Sequence, residues 1–124
     1  MAPPRSLVFV VDDDEAVRTA LRRLLSASGL DVQVYADGAD FVDAVAVHRP
    51  DCLVVDLHMP GLSGLDVLRQ LANLHVKVPA IVITAHDGAE TRAQCESAGA
   101  RGYLCKPLDA HVLLEAIARL TGHA

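Results

Sequence analysis

The sequence has no tryptophan and only two phenylalanines and two tyrosines in 124 residues. With 52% hydrophobic residues and 3% aromatic, its core must be aliphatic, built from Val, Leu, Ile and Ala. Positive charge is also scarce: 16 acids face 11 Lys and Arg, for a net charge of -5. That balance argues against direct binding of DNA or of an anionic membrane surface. No apolar run approaches the ~18 residues that a membrane span needs. The opening MAPPRSLVFVV carries one Arg and a short apolar stretch that runs straight into acids. It lacks the small-residue cleavage site of a secretory signal. Cysteine is sparse as well. Cys52, Cys95 and Cys105 follow neither metal-site nor CxxC spacing, and scattered thiols suit a reducing cytoplasm. There is no glycine-rich nucleotide fingerprint, no internal repeat and no low-complexity segment.

What the chain does have is two alternating periods. Leu7–Val11 is a short apolar run that reads as a buried strand, and from Glu15 the apolar stripe Val17, Ala20, Leu21, Leu24, Leu25 predicts a helix ended by Gly29. Val32–Tyr35 reads as a strand, and Ala39–Val47 as a helix behind Asp37. Cys52–Leu57 is a strand. Ser63 with Asp66 forms a capping-box pattern for a helix to about Leu74. Ala80–Ala85 is a strand, Asp87 with Glu90 is expected to cap a helix to about Ala98, and Arg101–Cys105 is a strand. Asp109 opens a last helix to about Thr121. Residues 1–6, with their Pro-Pro pair, are expected to form a loose tail ahead of one domain spanning 7–124.

Five strand-then-helix units imply an α/β fold with a parallel sheet covered on both faces. The unbroken apolar strands LVFVV, CLVVDL and AIVIT agree, because strands buried on both faces need not alternate. The doubly wound, five-stranded order 2-1-3-4-5 is the natural arrangement, and it places ligands where the carboxyl ends of strands 1 and 3 diverge.

That rim collects chemistry. Asp12 and Asp13 follow strand 1, Asp56 ends strand 3, Thr84 ends strand 4 and Lys106 follows strand 5. Crowded carboxylates repel unless a cation bridges them or some are protonated. Hard oxygen ligands without His or Cys favour Mg²⁺ (or Mn²⁺), which accepts an added phosphate oxygen. A lysine and a hydroxyl beside them can hold further phosphoryl oxygens. The set therefore suits phosphoryl transfer, with one carboxylate as nucleophile. Asp56 is central and the best candidate, and Asp12 and Asp13 would hold the metal. Asp14 instead sits at a helix start, where an acid caps free N–H groups.

The fragments VDDDEAVR, DLHMPGLSG, Thr84-Ala85 and Lys106-Pro107 after Tyr103 appear in order at these separations. On them the chain resembles the receiver domain of bacterial two-component response regulators, with CLVVDLHMPGLSGLDVLRQL similar to the FixJ/LuxR-type branch. The resemblance implies that Asp56 accepts a phosphoryl group from a sensor histidine kinase or phosphotransfer protein. It implies that Asp13, Asp56 and the His58 backbone carbonyl bind Mg²⁺ with help from Asp12. Thr84 and Lys106 would contact the phosphoryl group, and Tyr103 would be an aromatic switch that turns inward with Thr84. A packed strand aromatic is the plainer reading of Tyr103. The fourth helix, fifth strand and fifth helix would form the output face and a dimer interface on phosphorylation. The fourth helix is the least hydrophobic of the five, so it should be held loosely.

Other readings compete. A haloacid-dehalogenase-type phosphotransferase also places an Asp-x-Asp pair after strand 1, but Ala16 stands where that family wants Thr or Val, and there is no room for a cap. An interaction module without phosphotransfer is disfavoured because all the key residues are present. No DNA-binding helix pair lies within the sequence, so the output is expected in a partner or in a further domain. Lys106-Pro107 is expected to be cis. Cys105, neighbour of Lys106, is expected to be an inert buried thiol, since strand neighbours point to opposite faces. His58 and His86, two residues after Asp56 and Thr84, are expected either to lean over the crevice and modulate phosphoryl lifetime or to be solvated loop residues.

Overall fold

The computed structural model describes residues 5–122. Five strands and five helices alternate strictly: β1 (Leu7–Val11), α1 (Glu15–Ala27), β2 (Asp31–Tyr35), α2 (Gly38–Val47), β3 (Cys52–Asp56), α3 (Gly64–Asn73), β4 (Ala80–Thr84), α4 (Ala89–Ser97), β5 (Ala100–Cys105) and α5 (Ala110–Thr121). All pairings are parallel, in the order β2-β1-β3-β4-β5. The expected doubly wound sheet is present. No helix of the described residues is long and apolar enough to cross a membrane.

Strand periodicity divides the core in two. Phe9, Val11, Leu53, Val55 and Val82 face one side and pack with Phe41, Val45, Val67, Leu68, Leu71 and Cys95 of α2, α3 and α4. Val8, Val10, Cys52, Val54, Ile81 and Ile83 face the other and pack with α1 and α5 through Leu21, Leu25, Leu113 and Ile117. The central strands β3 and β4 are buried at every residue, which is why they read as unbroken apolar runs. Aromatic content is concentrated in one cluster, where Phe9 lies 5.1 Å from Tyr35 and 6.0 Å from Phe41 by ring centroid.

Helix starts follow the expected chemistry with one exception. Asp14, Asp37, Ser63 and Asp109 cap α1, α2, α3 and α5 through side-chain acceptors, and Ser63 with Asp66 makes the full capping box. The cap expected from Asp87 and Glu90 is absent. Gly88 is the N-cap of α4 and offers no side chain, because the loop after Thr84 runs on to that position before the helix begins. Of the expected N-terminal tail, residues 1–4 lie outside the described residues. Ser6 is buried, and its carbonyl accepts the Asp31 N–H at 3.0 Å. Lys106-Pro107 is cis. Cys105, expected to be buried, is exposed: it is the last residue of β5, an edge strand with a neighbour on one side only.

Candidate functional site

The carboxyl ends of β1, β3, β4 and β5 bring the predicted residues together. Carboxylate oxygens of Asp12, Asp13 and Asp56 lie within 4.8 Å of one another. Asp12 and Asp56 are buried and Asp13 is exposed at the rim. Lys106 reaches across from the end of β5. Its Nζ donates to Asp12 Oδ2 at 3.0 Å and stands 3.6 Å from Asp56 Oδ2.

Asp12 is bonded at every polar atom. Its N–H donates to the Tyr35 carbonyl at 3.1 Å, and its own carbonyl accepts from Arg18 Nη1 at 2.8 Å. Its Oδ1 accepts the Asp14 N–H at 2.9 Å while Oδ2 takes Lys106. Asp56 is less engaged: the His58 N–H reaches its Oδ1 at 3.3 Å. Burial, with the Asp12 charge next, pushes the Asp56 carboxyl upward, and Lys106 only partly offsets this. For Lys106 burial alone would lower the ammonium, but the hydrogen bond and charge of Asp12, followed by Asp56, outweigh it and the net direction is up.

Thr84 is fully buried at the end of β4, and its hydroxyl is occupied. Oγ1 donates to the His86 carbonyl at 3.0 Å and accepts the His86 N–H at 3.1 Å. The imidazoles of His58 and His86 meet edge to face with centroids 5.9 Å apart, so the two loops converge. Tyr103 lies two residues short of the end of the β4 pairing, opposite Val82. It is already buried, with its hydroxyl unpartnered and the Arg92 guanidinium 5.4 Å from the ring centroid. This burial is what the packed-aromatic reading of Tyr103 expects.

Two contributors were not singled out from sequence. Arg18 lies within VDDDEAVR, and its place on the first turn of α1 lets it fold back on the Asp12 carbonyl. Gly64 opens α3 against the end of β3: a Cβ there would stand 2.6 Å from the Asp56 carbonyl oxygen and 3.0 Å from Leu57 Cα. Only glycine allows that approach. The signal for both was spacing within motifs already quoted.

The donor set fits a hard divalent cation, being three clustered carboxylates with no His or Cys ligand atom among them. It fits a phosphoryl group equally, since the Lys106 ammonium stands 3.6 Å from Asp56.

The model of the response regulator receiver domain family matches residues 8–118. The chain is 46% identical over 107 residues to the response regulator MprA of Mycobacterium avium, covering 86% of this chain and 47% of MprA. It is 36% identical over 119 residues to the DNA-binding transcriptional regulator NtrC of Escherichia coli K12, covering 96% of this chain and 25% of NtrC. The chain therefore spans about a quarter to a half of the curated relatives it matches. Among solved structures it is similar to FixJ-N, with TM-score 0.89, 34% identity and 98% of both chains covered. It is also similar to a response regulator receiver protein from Burkholderia phymatum, with TM-score 0.85, 41% identity and 97% and 98% of the two chains covered.

Proposed function

This chain belongs to the response regulator receiver domain family, and from that premise we propose that it is a phospho-accepting switch whose acceptor is Asp56. The observation that carries the reading is the arrangement of charge around that carboxylate. Lys106 is tied to Asp12 at 3.0 Å and stands 3.6 Å from Asp56, and Asp13 lies on the same rim. Asp56 is the buried carboxylate of the trio that no short hydrogen bond restrains, where Asp12 is held by Lys106 and Asp13 is exposed, and in this reading it is the nucleophile toward an incoming phosphorus.

Asp13 and Asp56, with the His58 carbonyl, would hold Mg²⁺, and Asp12 would assist by holding Lys106. The cation would supply charge neutralisation for the phosphoryl oxygens in transfer. Asp56 forms the new O–P bond as the bond to the donor's nitrogen or oxygen breaks, and Lys106 and the freed Thr84 hydroxyl hold the phosphoryl oxygens. The phosphodonor is a sensor histidine kinase or phosphotransfer protein. An apolar cleft of about 400 Å³ between α1 and the Lys106–Ala110 turn opens beside the site and gives such a donor a place to dock. The readout is the α4-β5-α5 face, by dimerisation or through an output domain or partner, such as a DNA-binding one. The protein works in the cytoplasm as a signalling switch rather than an enzyme with a turned-over substrate.

Intact mass after treatment with Mg²⁺ and acetyl phosphate tests this. One phosphoryl group should add to the wild type and none to Asp56→Asn. Equal uptake by both refutes the assignment, and continuous release of phosphate from a phosphomonoester would favour a phosphotransferase instead.

A further inference from the structure

Tyr103 Oη is the one buried side-chain polar atom among the described residues that has no hydrogen-bond partner. An unpaired buried hydroxyl is unfavourable, so the ring's inward position must be held by something other than that group. Thr84, the nearest switch residue by function, does not hold it, because its hydroxyl is closed on the main chain of His86 in both directions. Packing on the inner face contributes, since Tyr103 belongs to the core cluster with Cys95 and Val82. On its outer side stands Arg92 of α4, with its guanidinium carbon 5.4 Å from the ring centroid. Glu96, one turn on, fixes the same guanidinium by accepting from Nε at 3.2 Å. A guanidinium over an aromatic face is attractive and caps the ring against water.

The attachment of α4 makes this contact consequential. The helix has no side-chain cap and buries only Cys95. Beside the packing of Cys95 and Ala98, Arg92 adds a contact from the helix to the β5 aromatic.

We propose that Arg92 is a positioning residue that holds Tyr103 inward from outside, by closing over its ring, before any phosphoryl group reaches Asp56. The orientation of the tyrosine is then set by α4 rather than by Thr84. Its meaning for signalling rests on the receiver reading: release of Arg92, rather than capture of the hydroxyl, frees the ring and the α4-β5-α5 face together.

The chain has two tyrosines, Tyr35 and Tyr103, so 3-fluorotyrosine labelling gives two ¹⁹F resonances, assigned with Tyr35→Phe. The H₂O/D₂O isotope shift of the Tyr103 resonance, read without metal or phosphodonor, reports its exposure. Wild type should show a small fraction of the free amino acid's shift. Arg92→Met should raise it at least twofold, and Arg92→Lys, which keeps a cation over the ring, should stay near wild type. No change in Arg92→Met, or equal exposure in both variants, overturns the proposal. Tyr103→Phe supplies an independent check: deleting the unpartnered hydroxyl should leave the melting temperature unchanged or raise it, and a clear fall would mean that the hydroxyl is bonded. Beryllofluoride with Mg²⁺ is then added to the same samples. Absence of a protein-bound beryllofluoride ¹⁹F resonance would count against the phosphoryl reading while leaving the Arg92 result standing.

Discussion

Replacing Lys106 by methionine removes the internal cation and leaves an apolar stem of similar length. Its ammonium stands 3.0 Å from Asp12 and 3.6 Å from Asp56. At an effective dielectric of ~20 each attraction is about 5 kcal/mol. Much of that is offset by desolvation of the ions, and the Lys106 side chain is 22% exposed, so solvent weakens the remainder. Asp12, by contrast, is fully buried and would be left charged beside Asp56. Removing one partner of a buried pair costs about 3–5 kcal/mol, which we discount to about 2–3 kcal/mol here. For a domain of this size that lowers the melting temperature by roughly 10 °C. The sign of the pH dependence follows from the upward shift of Lys106. Its contribution is fully present below the unfolded value of 10.5 and is lost as pH rises through the higher folded value. The gap between wild type and Lys106→Met should therefore be steady through neutral pH and narrow only above that value. The assay is thermal melting in metal-free buffer, with Asp12→Asn/Lys106→Met as the double variant. The double variant should fall by less than the sum of the singles, since each relieves the charge the other strands. Wild type and Lys106→Met melting within a few degrees of each other would show that solvent, not Lys106, neutralises the acids.

Mg²⁺ should stabilise the wild type by mass action, by about 2.7 kcal/mol at a hundredfold excess over Kd, and so raise its melting temperature. Asp13→Ala should abolish that gain while leaving the metal-free protein unchanged or more stable, and a metal-free loss would assign Asp13 a bonding role. Gly64→Ala places a Cβ 2.6 Å from the Asp56 carbonyl oxygen, a backbone atom that cannot swing aside, so urea unfolding should show a loss of at least ~2 kcal/mol. A loss under 0.5 kcal/mol would mean that α3 shifts freely. His58→Ala and His86→Ala should each change the decay rate of the phosphorylated protein, because the two rings meet 5.9 Å apart on the loops that follow Asp56 and Thr84. Decay identical to wild type in both would leave them as surface residues.

The strands β1, β3 and β4 were readable because burial on both sheet faces turns each into an apolar run, and the observed ends of all five strands lie within a residue of expectation. The rim residues were readable because the sheet order alone sends residues that follow strand ends to one edge. What was hidden depended on contacts that local pattern does not encode. The Lys106–Asp12 bond spans 94 residues and was anticipated only as proximity. Asp87-x-x-Glu90 has the spacing of a cap, yet Gly88 occupies that position, and the Asp87 carboxylate lies near enough to Tyr103 to push its hydroxyl up, behind burial as the larger cause. Cys105 failed because alternation gives the side of a strand but not whether anything covers its last residue at an edge. A packed Tyr103 was one of the two sequence readings, but its contact with Arg92 was hidden for a related reason: Arg92 comes from a helix whose own sequence carries little apolar signal.

The bonding of Asp12 separates the roles of the three acids. Its N–H, carbonyl and both carboxylate oxygens are all engaged, to Tyr35, Arg18, Asp14 and Lys106. An acid so fully held is poorly suited to attack phosphorus, and a cation would reach its oxygens only by displacing one of these partners. Asp13 is exposed and Asp56 has one long hydrogen bond, so these two keep free oxygens. Lys106 lies 0.6 Å closer to Asp12 than to Asp56, the proposed acceptor, by the difference between 3.6 and 3.0 Å. The lysine is thereby stored beside Asp56 without neutralising it, and the repulsion that remains, which pushes the Asp56 carboxyl upward behind burial, keeps that group basic. A more basic carboxylate is a better nucleophile, and in the proposed transfer the ammonium would be within reach of the phosphoryl oxygens. Arg18 and Tyr35 matter to the chemistry through this route: by fixing the Asp12 main chain, they fix where the lysine waits.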